Sequence, residues 1–164
     1  MKFFNEQSFI RQLSIDCVIF GYQDTELKVL VPKIGVSENL WALPGGFIMQ
    51  SESIDEAALR ILEERTGLKD IYLEQFRVFG HTHRTNHEVF EGLSALKDDF
   101  IRHNLLDEAS LQWLTQRFVS IGYYALVDIN KVNPQKGSFD ESIGWYNTKE
   151  LPRMIMDHNE MVGY

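Results

Sequence analysis

The sequence predicts an α/β fold, and three observations carry the prediction. Apolar, β-rich runs recur at residues 13–20, 27–31, 71–80, 118–127 and 143–146. One acidic amphipathic helix, at 53–66, follows a glycine pair in the middle of this series, and a second helical segment starts late, at 148–156. At 164 residues with 44% hydrophobic content, the chain is long enough for one well-filled core, and a single domain over residues 1–164 is expected.

Bulk chemistry narrows the function. A net charge of −8 gives no sequence-wide basic footprint, which argues against this segment gripping nucleic-acid phosphates by itself. The lone Cys17 lies in an apolar run and has no partner for an internal disulfide, as suits a reducing cytoplasm. No run approaches the ~20 apolar residues of a membrane span, and the N-terminus has no hydrophobic signal core. A soluble, cytoplasmic protein is expected.

Taken in order, residues 13–20 form an apolar strand broken by Asp16, read first as a satisfied structural hydrogen-bonder and second as a pocket lining. Residues 21–25 make a turn, and 27–31 a second strand stopped by Pro32, so that the two strands are a hairpin or neighbours. Residues 34–40 read as a loop. A short strand at 41–43 then delivers Pro44, Gly45 and Gly46, where two glycines let backbone approach a ligand closely.

Ser53 followed by Glu56 is a capping box, and Gly67 stands where a helix end wants a left-handed residue. Between them Ile54, Ala57, Ala58, Ile61 and Leu62 form one apolar stripe, with carboxylates and arginines around the rest. Beyond the strand at 71–80, His81, His83 and His87 lack the further close-set ligand that zinc would need. Arg84, in a loop at a strand end, is suited to a phosphate or a sugar hydroxyl. Residues 86–115 read as a helical insertion: Val89, Leu93, Leu96 and Phe100 step at threes and fours, and Asp107 caps a further short helix. In the strand at 118–127, Gly122 marks a bulge, and Tyr123 and Tyr124 point to opposite faces. Residues 131–140 are a turn-rich loop, and Pro152 interrupts the helical start at 148–156.

Gly46, Glu52, Arg60, Leu62, Glu64, Gly67 and Leu68 keep the spacing of the Nudix box, G-x5-E-x7-R-E-U-x-E-E-x-G-U with U a bulky apolar residue, and Trp41–Gly45 is similar to its usual lead-in. The resemblance implies a Nudix-type α/β/α sandwich with a mixed β-sheet. It also implies Mg²⁺ or Mn²⁺ held by the three glutamates of the R-E-x-x-E-E segment, which map here to Ile61, Glu64 and Arg65. Ile61 has no lone pair to offer. A guanidinium ~4 Å from a divalent ion is repelled by about 8 kcal/mol at an effective dielectric near 20. Residues 117–127, together with Leu151, Pro152 and residues 157–161, resemble the sensing domains of bacterial Nudix-related transcriptional regulators, which lack hydrolysis and carry a winged-helix DNA-binding domain after the Nudix domain.

This resemblance implies an effector-sensing domain without a catalytic residue or cofactor. It would bind a sugar or nucleotide-sugar metabolite such as ADP-ribose and act as a homodimer, reaching DNA only through a C-terminal domain outside this chain. The expected ligand-binding residues are Gly45, Gly46, Phe47, Glu64, Arg65, Arg84 and Tyr124. The alternative is an Mg²⁺-dependent pyrophosphohydrolase of nucleoside diphosphate derivatives, with Glu52, Glu56 and Glu64 catalytic and Glu52 and Glu64 on the metal.

Overall fold

In the computed structural model, residues 4–35, 38–85, 87–95, 97–103 and 107–164 are described, with the side chains at 90, 93, 99 and 100 excepted. The organising strand is β1, Phe9–Gln23. It pairs antiparallel with β2 (Glu26–Ile34) and β3 (Gly45–Met49), and parallel with β5 (Val119–Asp128). With β4 (Glu74–Phe79) and β6 (Asp140–Asn147) outside these, the path of the mixed sheet is β4-β5-β1-β2-β6, and β3 lies off it on β1.

Several elements differ from expectation for local reasons. The β1–β2 hairpin turns on two residues rather than five: Asp24 and Thr25 both take positive φ, 50° and 67°, which a two-residue turn needs to follow the strand twist. Pro32 does not stop β2. Its carbonyl accepts from the Ala42 N–H, so its nitrogen faces away from β6 and the missing N–H removes no ladder bond. The expected strand at 41–43 shrinks to bridges at Trp41, and the glycine pair is itself in a strand, β3. Gly122 carries no bulge. The extra residue is on β4, where Phe76 is skipped between Gln75 and Arg77, and Gly122 clears the space its ring needs.

Helix α1, Ile54–Thr66, matches its predicted limits, with the reciprocal Ser53–Glu56 capping box and Gly67 at φ 69°. Its apolar stripe covers one sheet face through Ala57, Ala58, Ile61 and Leu62, against Ile15, Cys17, Ile19, Ile121 and Tyr123. Ser53→Ala removes the cap on the Glu56 N–H and is expected to cost about 1 kcal/mol in urea unfolding.

The insertion holds α2 (His87–Ala95), α3 (Lys97–Arg102) and α4 (Glu108–Leu114), the last capped by Asp107 as expected. Leu96 and the side chains of Leu93 and Phe100, part of the predicted stripe, fall outside the description. Trp113 of α4 joins Phe4, Phe9, Phe47 and Phe118 in one aromatic cluster. No helix starts at 148. Helix α5 is His158–Val162, entered through Met154, whose N–H is taken by the Asn159 side chain. Met154 and Met161 cover the second sheet face over Val18, Val29, Val31 and Phe79, which completes the α/β/α layering. Among the described residues no helix is long and apolar enough to cross a membrane.

Candidate ligand-binding cleft

Two charge clusters meet where β1, β3 and α1 converge, and neither is arranged as a metal site. In the first, Arg60 bridges two carboxylates. Its Nε donates to Glu52 Oε2 at 2.8 Å, its Nη2 to Glu52 Oε1 at 2.6 Å and to the Phe47 carbonyl at 2.7 Å, and its Nη1 to Glu64 Oε2 at 2.9 Å. Glu52 Oε1 also accepts the Met49 N–H, so one side chain holds the strand end and the helix together. The Arg60 hydrogen bonds keep the Glu52 carboxyl below its ordinary value. Glu56 is engaged in the helix cap.

The positions that depart from the box are filled by packing and by an ion pair. Ile61 is buried directly beneath Gly46, so close that a Cβ there would lie 3.0 Å from its Cγ1. Arg65 is clamped by Asp140, with Nε to Oδ2 at 3.1 Å and Nη2 to Oδ1 at 2.8 Å, and its Nη1 donates to the Gly45 carbonyl at 2.7 Å. The Asp140 side chain is fully buried, so the cation at 65 is matched by an anion that β6 supplies from 75 residues away. A divalent ion requires several free oxygen ligands. Glu52 and Glu64 are spent on Arg60, Ile61 has none and Arg65 repels, so these residues do not fit one. Among the described residues no group of three His, Cys, Asp or Glu could hold a metal, and His81 and His83 merely stack in solvent.

The second cluster forms the floor of the cleft. Arg84 is 2% exposed, which overrides the picture of a loop arginine reaching into solvent. Its Nη2 donates to Asp16 Oδ2 at 3.0 Å, its Nε to Asp157 Oδ1 at 2.7 Å and its Nη1 to the Phe118 carbonyl at 3.2 Å. The Ser120 hydroxyl donates to Asp16 Oδ2 at 2.6 Å. Burial raises the Asp16 carboxyl, but the adjacent His158, the Arg84 guanidinium and the Ser120 hydroxyl together bring it below its ordinary value. His158 Nδ1 accepts the Leu43 N–H at 2.9 Å, which assigns the ring proton to Nε2. Burial holds this imidazole below its ordinary value, so it is neutral near pH 7. Its Nε2 is buried without a hydrogen-bond partner among the described residues, 3.5 Å from Asp16 Oδ1.

The cleft above this floor holds about 150 Å³. Gly45, Gly46, Phe47, Arg65 and Arg84 line it, whereas Glu64 and Tyr124 do not. Glu64 stands in solvent beside Arg60. Tyr124 shares a sheet face with Ser120 but sits four residues further along β5, roughly 13 Å away at strand rise, in an apolar groove with Phe76 and Tyr164; its hydroxyl donates to Glu74. Gly45 must be glycine, because a Cβ there would run into the Asp16 carboxylate. His158, Val89 of α2, Ile155 and Met156 also line the cleft and were not among the expected ligand residues. They come from segments that no local pattern ties to the glycine loop. Asp16 inside an apolar strand and Arg84 at a strand end were the visible pointers to the floor.

Fold and site together define an α/β/α sandwich whose glycine strand, capped helix and bridging arginine frame a cleft, with hydrophobic packing and a guanidinium where metal-binding carboxylates would stand. The chain belongs to the NUDIX domain family, which it matches over residues 10–162.

Among its relatives is the ADPR responsive transcriptional repressor NtrR of Acinetobacter baylyi, 31% identical over a 98-residue alignment, with coverage of 51% of this chain and 39% of that protein. The NUDIX domain of Shewanella oneidensis NrtR, solved as a complex with ADP ribose, superposes with a TM-score of 0.66 at 24% identity, covering 98% of this chain and 90% of that one. The Shewanella oneidensis NrtR crystal structure follows with a TM-score of 0.59 at 25% identity, over 93% of this chain and 60% of the other. A MutT/nudix family protein from Enterococcus faecalis has a TM-score of 0.65 at 21% identity, with coverage of 93% and 60%. The chain therefore spans 39% of the repressor and 60% of the NrtR chain it resembles.

Proposed function

We propose that this chain is the effector-sensing domain of a transcriptional regulator, which binds ADP-ribose or a related nucleotide-sugar in the cleft without hydrolysing it. One observation carries the reading: two of the three metal-binding positions are replaced by compensated structure, Ile61 packed under Gly46 and Arg65 locked to Asp140. A bare loss of ligands would leave Arg65 unmatched, whereas here the cation has its own buried anion. The relative that is an ADPR responsive repressor, and the NrtR structure solved with a 27mer DNA at 25% identity, support the regulatory side of the reading.

In this proposal the domain works in the cytoplasm as a homodimer and uses no metal cofactor, and DNA is contacted by a winged-helix domain outside these 164 residues. The test is calorimetry with ADP-ribose, NAD and pentoses, beside a phosphate-release assay with Mg²⁺ or Mn²⁺. Binding of ADP-ribose without turnover is the expected result. Turnover of a nucleoside diphosphate derivative, with no binding across the panel, would establish the hydrolase reading in its place.

A further inference from the structure

We infer that the floor of the cleft is a subsite for the hydroxyls of one sugar ring rather than for a phosphate, with His158 and Asp16 as its specificity-determining pair. The inference rests on the sensing reading and adds which end of the ligand enters.

Charge argues first. Both arginines that line the cleft are already matched, Arg65 by Asp140 and Arg84 by Asp16 and Asp157. A phosphate reaching the floor would meet the Asp16 carboxylate with no uncommitted cation among the described residues of the lining to offset the repulsion. A hydroxyl carries no such penalty.

Hydrogen-bond valence argues second. Since Nδ1 is occupied by the Leu43 N–H, His158 offers a single N–H donor at Nε2, and that donor is buried with no hydrogen-bond partner among the described residues. Leaving such a group unmade costs free energy, which a ligand that satisfies it recovers. Asp16 spends Oδ2 on Arg84 and Ser120 and presents Oδ1 toward the same ring, too far for a good bond to it at 3.5 Å. A donor and an acceptor side by side suit a hydroxyl, which accepts from one and donates to the other. Ala42, Leu43, Phe118 and Ile155 supply apolar wall for the C–H face of a ring.

Size argues third. A volume of about 150 Å³ falls well short of the ~300–1,000 Å³ of a site enclosing a drug-sized ligand. The terminal ribose of ADP-ribose is attached at one end only and can enter a one-ring cleft. The adenosine ribose has base and phosphate on either side and cannot.

The experiment uses the 164-residue chain and calorimetry with ADP-ribose and ADP. His158→Asn keeps an acceptor near the Nδ1 position for the Leu43 N–H but removes the Nε2 donor; His158→Gln places a donor back near Nε2. The wild type is expected to bind ADP-ribose at least tenfold more tightly than ADP. His158→Asn should erase that advantage while ADP affinity stays unchanged, and His158→Gln should restore part of it. Equal affinities in the wild type, or a His158→Asn loss that is shared by ADP or absent for both, overturns the inference and leaves the sensing reading standing. Failure of the wild type to bind either nucleotide overturns both. Should the variants not fold, saturation-transfer NMR on the wild type decides: strongest transfer to the terminal ribose protons supports the subsite, and strongest transfer to adenine overturns it.

Discussion

Replacing Arg84 by methionine is expected to destabilise the domain by about 3–5 kcal/mol at pH 7, because removing one partner of a buried ion pair leaves uncompensated charge behind. Here it leaves two carboxylates, since the Arg84 guanidinium separates Asp16 from Asp157 and both of its partners lie in the interior. For a chain of this length the loss corresponds to a fall in Tm of roughly 10 °C. The pH dependence gives the sign. In the wild type the Asp16 carboxyl is held below its ordinary value, so its contribution to stability is fully present above that value and fades as pH falls through the lower folded one. Without Arg84 two of the influences that lower it are removed, so the carboxyl moves up from its wild-type position and a proton neutralises it at milder acidity. The deficit of Arg84→Met should therefore be larger at pH 7 than at pH 5. Urea unfolding at both values checks this; a deficit below 1 kcal/mol, or one that grows on acidification, contradicts it.

The second large effect is a gain. The double substitution Ile61→Glu and Arg65→Glu should create a divalent-cation site. It places two carboxylates one turn apart beside Glu64, and it releases Asp140 from its partner as a further oxygen donor. Without metal the variant should be less stable than the wild type, since a carboxylate at 61 is buried under Gly46 and Asp140 is left unpaired. Millimolar Mg²⁺ or Mn²⁺ should restore stability by mass action, by about 2.7 kcal/mol when the ion is at a hundredfold its Kd. Thermal unfolding with and without the ion reads the effect directly. An ion-dependent rise of the same size in the wild type would mean that Glu52 and Glu64 already hold a metal and that Arg60 yields them, contrary to the geometry.

Both expectations concern the same property of the cleft, which is that its charges are balanced internally. Arg60 spans Glu52 and Glu64, Arg65 faces Asp140, and Arg84 sits between Asp16 and Asp157. A site organised for phosphate chemistry would keep charge in reserve for the ligand and its metal. This one keeps a neutral histidine N–H beside a carboxylate oxygen, a combination suited to recognising hydroxyls and holding them.

Local structure was largely legible in the chain. The capping box and the glycine C-cap join residues three and four apart, and the α1 stripe is a pattern within one thirteen-residue helix; short-range chemistry of that kind determines itself wherever the helix lands. The spacing of Gly46, Glu52 and Arg60 likewise announced the frame, and the misfit at 61 and 65 marked the positions where packing and an ion pair stand. Strand limits were less legible. The turn at 24–25, the passage of β2 through Pro32 and the bulge at Phe76 depend on which side of a strand has a neighbour, and sequence alone does not supply neighbours.

What compensates the broken box was decided only by the tertiary structure. Asp140 lies 75 residues from Arg65, Asp16 lies 68 from Arg84, and His158 lies 115 from the Leu43 amide that sets its tautomer. Each pairing exists because a buried charge or polar group must be matched where it sits, and the parallel run of β5 along β1 and the return of α5 over the sheet bring those matches within hydrogen-bond reach.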